Sequence, residues 1–114
     1  MKFNELLVEM SILCAKNDGF GFSARINSND HNPPHIHITT YDGKNICKLK
    51  ITEKKPETVD DLKFFDIKDE KSLSKIKHNI LDWINTQTRY GNDKWIFIKD
   101  TWVSYHMFEK VKFE

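Results

Sequence analysis

The chain has 114 residues, 18 Lys and Arg against 17 Asp and Glu, and a formal charge of +1. That length suits a single domain over 1–114, and the balanced charge excludes both a strongly basic, non-specific nucleic-acid binder and an acidic disordered chain. Hydrophobic residues make up 39% and aromatics 12%, enough for a small core that needs no staples.

No apolar run reaches the ~20 residues of a membrane span, so no membrane association is expected. Glu5 and Glu9 interrupt the N-terminal apolar stretch, which therefore does not read as a secretory signal. Cys14 and Cys47 are too few for a disulfide framework, which points to a reducing, cytoplasmic setting.

Residues 4–16 carry Leu6, Leu7, Met10, Leu13 and Cys14 at helical spacing, and this predicts an N-terminal helix within 1–18. Phe20, Phe22, Ala24 and Ile26 then alternate with polar or small residues, the mark of a half-buried strand with Arg25 on its outer face. Residues 28–34 form a loop, because Pro33-Pro34 fits neither a helix interior nor a central strand.

Residues 35–51 read as a hairpin about Tyr41-Asp42-Gly43-Lys44, with Asp-Gly in a two-residue turn. In that register Ile36 faces Leu49 and Ile38 faces Cys47 on the apolar side. His35 faces Lys50, His37 faces Lys48 and Thr39 faces Ile46 on the other.

Residues 52–68 are mixed, with Pro56 breaking the chain, and Leu62, Phe64, Phe65 and Ile67 suit a short strand or an edge segment. Residues 70–89 form the strongest helix, with Leu73, Ile76, Ile80, Leu81 and Ile84 on one stripe, Asp69 or Ser72 as N-cap and Gly91 as the stop. Trp95 to Val103 fits a helix or a buried strand, with the Trp95, Ile98, Trp102 spacing favouring a helix. The fold class is thus α+β: a small antiparallel sheet of about three strands, within 19–52, packed on an N-terminal helix and a C-terminal helix pair within 69–108.

Asp30-His31-Asn32-Pro33-Pro34-His35-Ile36-His37 places three of the five histidines in seven residues. His35 and His37 lie two apart on a strand, so both rings leave the same face. The two prolines stiffen the loop that presents His31 and Asn32 beside it. A stiff loop next to two imidazoles on one face is the pattern of a preorganised site.

This octapeptide, D-H-N-P-P-H-x-H, resembles the signature of a bacterial domain-of-unknown-function family (number 4160). The resemblance extends at the level of element order over roughly residues 20–105. It implies a small α+β domain and a toxin–antitoxin association, with a cognate antitoxin or neighbouring small protein as partner. It implies no particular reaction.

Two chemistries fit the motif. In the first, His35, His37 and His31 are catalytic, as acid–base groups near neutral pH. Asp30, Asn32, Arg25, Lys48 and Lys50 then bind the phosphate of RNA or a nucleotide, in a metal-independent ribonuclease that needs no cofactor.

In the second, His31, His35 and His37 ligate a divalent metal such as zinc, with Asp30 or His106 as further donors; the adjacent lysines oppose this. A third reading makes the histidines ordinary outer-face residues, with His31 and Asn32 bonding the loop backbone. A non-enzymatic protein-binding module is the alternative to an enzyme. Trp83, Trp95, Trp102, His78 and Cys47 read as structural.

Overall fold

A computed structural model describes residues 10–88, 90–107 and 109–114. The described chain is a five-stranded antiparallel sheet followed by two helices. The strands are β1 (Met10–Cys14), β2 (Ser23–Asn27), β3 (His35–Thr39), β4 (Asn45–Lys50) and β5 (Phe64–Phe65), and they lie side by side in chain order. The helices are α1 (Glu70–Ile84) and α2 (Lys94–Ser104). No described helix is long and apolar enough to cross a membrane.

The expected N-terminal helix is corrected over its second half. Residues 10–14 form β1, paired antiparallel with β2 from Met10 opposite Asn27. Residues 4–9 of that expected helix lie outside the described residues. Met-Ser-Ile-Leu-Cys satisfies both periods, and pairing with β2 decides between them. Met10 and Ile12 stay 59% and 66% exposed while Leu13 packs on the core and Cys14 is buried. Met10 and Ile12 share the outer face of the strand, and the β-bulge between Ile12 and Cys14 turns Cys14 inward beside Leu13.

The sheet also exceeds the expected three strands at its far edge. There the Phe64-Phe65 segment pairs with β4, Lys48 opposite Phe65 and Leu49 opposite Phe64.

The hairpin holds the expected register over most of its length by a different route. Its loop has three residues rather than two. Thr40 N–H donates to the Lys44 carbonyl at 2.9 Å and Gly43 N–H to the Thr40 carbonyl at 3.0 Å. Gly43 takes φ +90°, open to glycine without a steric penalty. The longer loop shifts the pairing by one, so Thr39 lies opposite Asn45 instead of Ile46. A β-bulge then shifts it back: Ile38 faces Cys47, His37 faces Lys48, Ile36 faces Leu49 and His35 faces Lys50. The bulge lets two consecutive apolar residues, Ile46 and Cys47, both point into the core. The Ile46 carbonyl accepts from Lys68 and Asp69 N–H, which fixes where α1 begins.

Asp69 caps α1, accepting from Ser72 N–H at 3.0 Å. The helix ends at Ile84, five residues earlier than the sequence predicts. The Asn85 and Thr86 side chains donate to the Leu81 and Trp83 carbonyls at 2.9 and 2.6 Å and close the last turn. Gly91 serves instead a tight turn, its N–H donating to the Thr88 carbonyl.

Residues 95–103 are helical, within α2. Asp93 caps that helix through Trp95 and Ile96 N–H. Trp95, Ile98 and Trp102 join Leu73, Ile80 and Trp83 in the core with the inward residues of the sheet.

Candidate functional site

His35 and His37 project from β3 as two residues apart on a strand must, and their ring centroids are 4.9 Å apart. The preceding loop, with its cis Asn32–Pro33 bond, brings Asp30 beneath both rings. Asp30 Oδ1 lies 2.8 Å from His37 Nε2, and Oδ2 lies 3.8 Å from His35 Nε2. Oδ2 also accepts from Asn27 N–H at 2.9 Å, which fixes the carboxylate to the end of β2. One oxygen or nitrogen from each of Asp30, His35 and His37 falls within 4.8 Å of the other two.

The two histidines are not equivalent. His35 is 5% exposed, with Trp102 and Phe65 rings at 5.4 and 5.7 Å. Its Nδ1–H donates to the Pro33 carbonyl at 2.7 Å, which leaves the lone pair of the neutral ring on Nε2. That buried Nε2 has no hydrogen-bond partner.

Burial holds the His35 pKa below the ordinary imidazole value of 6.5. The Pro33 carbonyl and Asp30 oppose the shift, while His37 and Lys48 add to it. Below about pH 6.5 the unfolded chain takes up a proton that folded His35 resists, so stability falls as pH drops through that value, by at most about 1.4 kcal/mol per pH unit for one group. Urea midpoints between pH 7.5 and 5.5 should show this loss, and His35→Gln should flatten it. An unchanged slope in that variant would contradict the assignment.

A polar cleft of about 410 Å³ opens against this cluster, lined by Asn27, Asn29, His31, Asn32, Lys48 and Phe65 together with Asp30, Pro33 and His35. His31 and Asn32 are exposed on its wall. His31 is thus a cleft residue, and Asp30, rather than His31, is the third member of the tight cluster. Arg25 sits opposite His37 on β2.

The two lysines take different partners. Lys48 lines the cleft while pairing with Asp66 at 3.2 Å, and Lys50, two residues along the same face of β4, pairs with Glu114 at 3.3 Å; their ammonium groups stand 5.9 and 6.0 Å from the Phe65 ring. Cys14 and Cys47 are buried, and burial pushes both thiols up to about 12, so neither supplies a thiolate near neutral pH.

His106 lies beyond the motif and serves a role its sequence position does not announce. Its Nε2 is 2.7 Å from the Asp30 carbonyl and its Nδ1 is 2.8 Å from that of Trp102. Its ring stacks on Trp102 at 4.2 Å. The local signal is the i, i+4 spacing of Trp102 and His106, which lets the turn that follows α2 lay one ring on the other. The contact to Asp30, 76 residues away, is purely tertiary.

Fold and site together define a small α+β domain built around a histidine–aspartate cluster at the mouth of a polar cleft. Residues 21–95 match the family described as domain of unknown function DUF4160, and the chain belongs to that family. The match runs from the approach to β2 to the start of α2, so it contains the whole cluster but not Trp102 or His106. No curated protein and no solved structure matches the chain.

Proposed function

We propose that the cleft receives a phosphate ester of RNA or of a nucleotide, and that the Asp30–His35–His37 cluster activates the nucleophile that cleaves it. One observation carries this reading. Asp30, which orients His37 through a 2.8 Å contact, lines a cleft that also presents His31, Lys48 and three asparagines. A carboxylate-held imidazole is a poised base, and a cation with amide donors balances charge that develops on phosphate oxygens.

In this reading the nucleophile is a water molecule or the adjacent 2′-hydroxyl, and exposed His31 returns a proton to the leaving oxygen. Phe65 offers an aromatic face on the same wall to a base. A toxin–antitoxin-type setting, with a neighbouring small protein as partner, adds a cellular corollary: growth arrest on expression that His37→Ala abolishes.

The direct test incubates the purified, untagged chain with single-stranded RNA, with added zinc and separately with chelator. Cleavage is expected to fall about 100-fold in His37→Gln and about 10-fold in Lys48→Gln. No cleavage under either condition would overturn the proposal in favour of a non-enzymatic binding module.

A further inference from the structure

We infer that Asp30, His35 and His37 form a site for one divalent transition-metal ion, with zinc the best match. The inference goes beyond the proposed reaction and changes one part of it: with Nε2 on the ion, His37 is a ligand and no longer the base, and water held by the ion would be the nucleophile. The site itself holds whatever the substrate proves to be.

Spacing is the first argument. A tetrahedral ion with bonds of about 2.0–2.1 Å holds its ligand atoms about 3.3 Å apart. The Asp30 oxygens stand 2.8 Å from His37 Nε2 and 3.8 Å from His35 Nε2, on either side of that separation. Those are two different oxygens, Oδ1 and Oδ2; with one atom from each residue all three lie within 4.8 Å of one another, so closing on an ion takes shifts of up to about 1.5 Å.

The buried Nε2 of His35 points the same way. A nitrogen in a 5% exposed residue with no hydrogen-bond partner is an exception among buried polar atoms. Its ring hydrogen is committed to the Pro33 carbonyl. A backbone carbonyl on one ring nitrogen, with the lone pair of the other aimed into a cluster, is how metal-bound histidines are held. His37 needs only to carry its ring hydrogen on Nδ1 for Nε2 to ligate, and the ion then takes the place of the hydrogen between His37 and Asp30.

The surroundings also suit an ion. Asn27 N–H holds the carboxylate and His106 meets the Asp30 carbonyl, so the donors are braced from two elements. Lys48, which repels a cation, shares Asp66 with Lys68, so its charge is offset only in part. Two neutral imidazoles and one carboxylate leave a divalent ion with a net single positive charge. Asp30 and His35 line the cleft, so the site adjoins the space where a substrate would enter. Two nitrogens and one oxygen favour zinc and its neighbours over magnesium or calcium.

The test titrates the untagged full chain with Co²⁺, read by its visible absorption, and then displaces it with Zn²⁺. One equivalent should bind. Asp30→Asn and His37→Gln should each weaken it roughly 100-fold or more, with unchanged far-UV circular dichroism. His78→Gln, on α1, should leave the affinity within about twofold. Binding of less than about a tenth of an equivalent, or affinity indifferent to Asp30→Asn, would overturn the site. Stoichiometric zinc without RNA cleavage would leave the metal site standing and remove the proposed reaction. Cleavage with no metal bound would do the reverse.

Discussion

Trp102→Ala is expected to cost about 3–5 kcal/mol of stability, the range for emptying a large aromatic from a core. Trp102 is 0% exposed, stacks on His106 and lies 5.4 Å from the His35 ring. Its removal opens a cavity directly under the cluster. A domain of this size has about 5–15 kcal/mol in all, so the loss is at least about a fifth of the whole and the urea midpoint should fall in proportion. Trp102→Phe is the informative control. The indole N–H is buried without a partner, so phenylalanine keeps most of the packing and removes an unsatisfied donor. Its cost should be under about 2 kcal/mol. Urea denaturation measures both, and a loss below about 1 kcal/mol in the alanine variant would mean the Trp102–His35 contact is not part of the core.

Asp30→Ala should have the largest effect on function, lowering cleavage of a phosphate ester by at least about 100-fold. The carboxylate orients His37, faces His35 and accepts the Asn27 N–H, so alanine removes three contacts at once. Stability should fall with it, by about 1–3 kcal/mol, because the Asn27 donor and the His37 ring each lose a partner. Asp30→Asn separates the two effects. Its amide oxygen can still accept from Asn27, so stability is largely kept while the charge at the cluster is lost. Retained activity in Asp30→Asn would show that the carboxylate's charge does no chemistry.

What could be read from the sequence follows the range of the interactions involved. His35 and His37 share a face because strand periodicity requires it. The apolar partners Ile36–Leu49 and Ile38–Cys47 follow from burying one side of a hairpin. The turn is the instructive case. The predicted two-residue loop is one residue short, and the bulge at Ile46 compensates by one. The burial pattern fixed the register of β3 on β4, and the loop and bulge accommodated to it.

The N-terminal segment failed for the complementary reason. Met10, Leu13 and Cys14 satisfy a helical stripe as well as they fit a strand, and only the partner strand β2 distinguishes them. The helical reading of α2 succeeded because Trp95, Ile98 and Trp102 form a stripe that a capping Asp93 can start.

At the site, the motif named Asp30, His31, His35 and His37 but not their division of labour. That His35 is buried and His31 exposed depends on Trp102 and Phe65 arriving from α2 and β5. That Lys48 faces the cleft while Lys50 turns to Glu114 depends on the far end of the chain. Such contacts leave no mark on local patterning. The role of His106 is of the same kind.

Ring nitrogens can be observed directly, by long-range ¹H–¹⁵N correlation on the uniformly labelled chain before and after one equivalent of Zn²⁺. The account predicts that His35 begins with its hydrogen on Nδ1, and that zinc shifts Nε2 of His35 and His37 together. His31 and His78 should be unmoved. A response centred on His31, or no response from His35 and His37, would contradict the claim that Asp30, His35 and His37 form the working site of this domain.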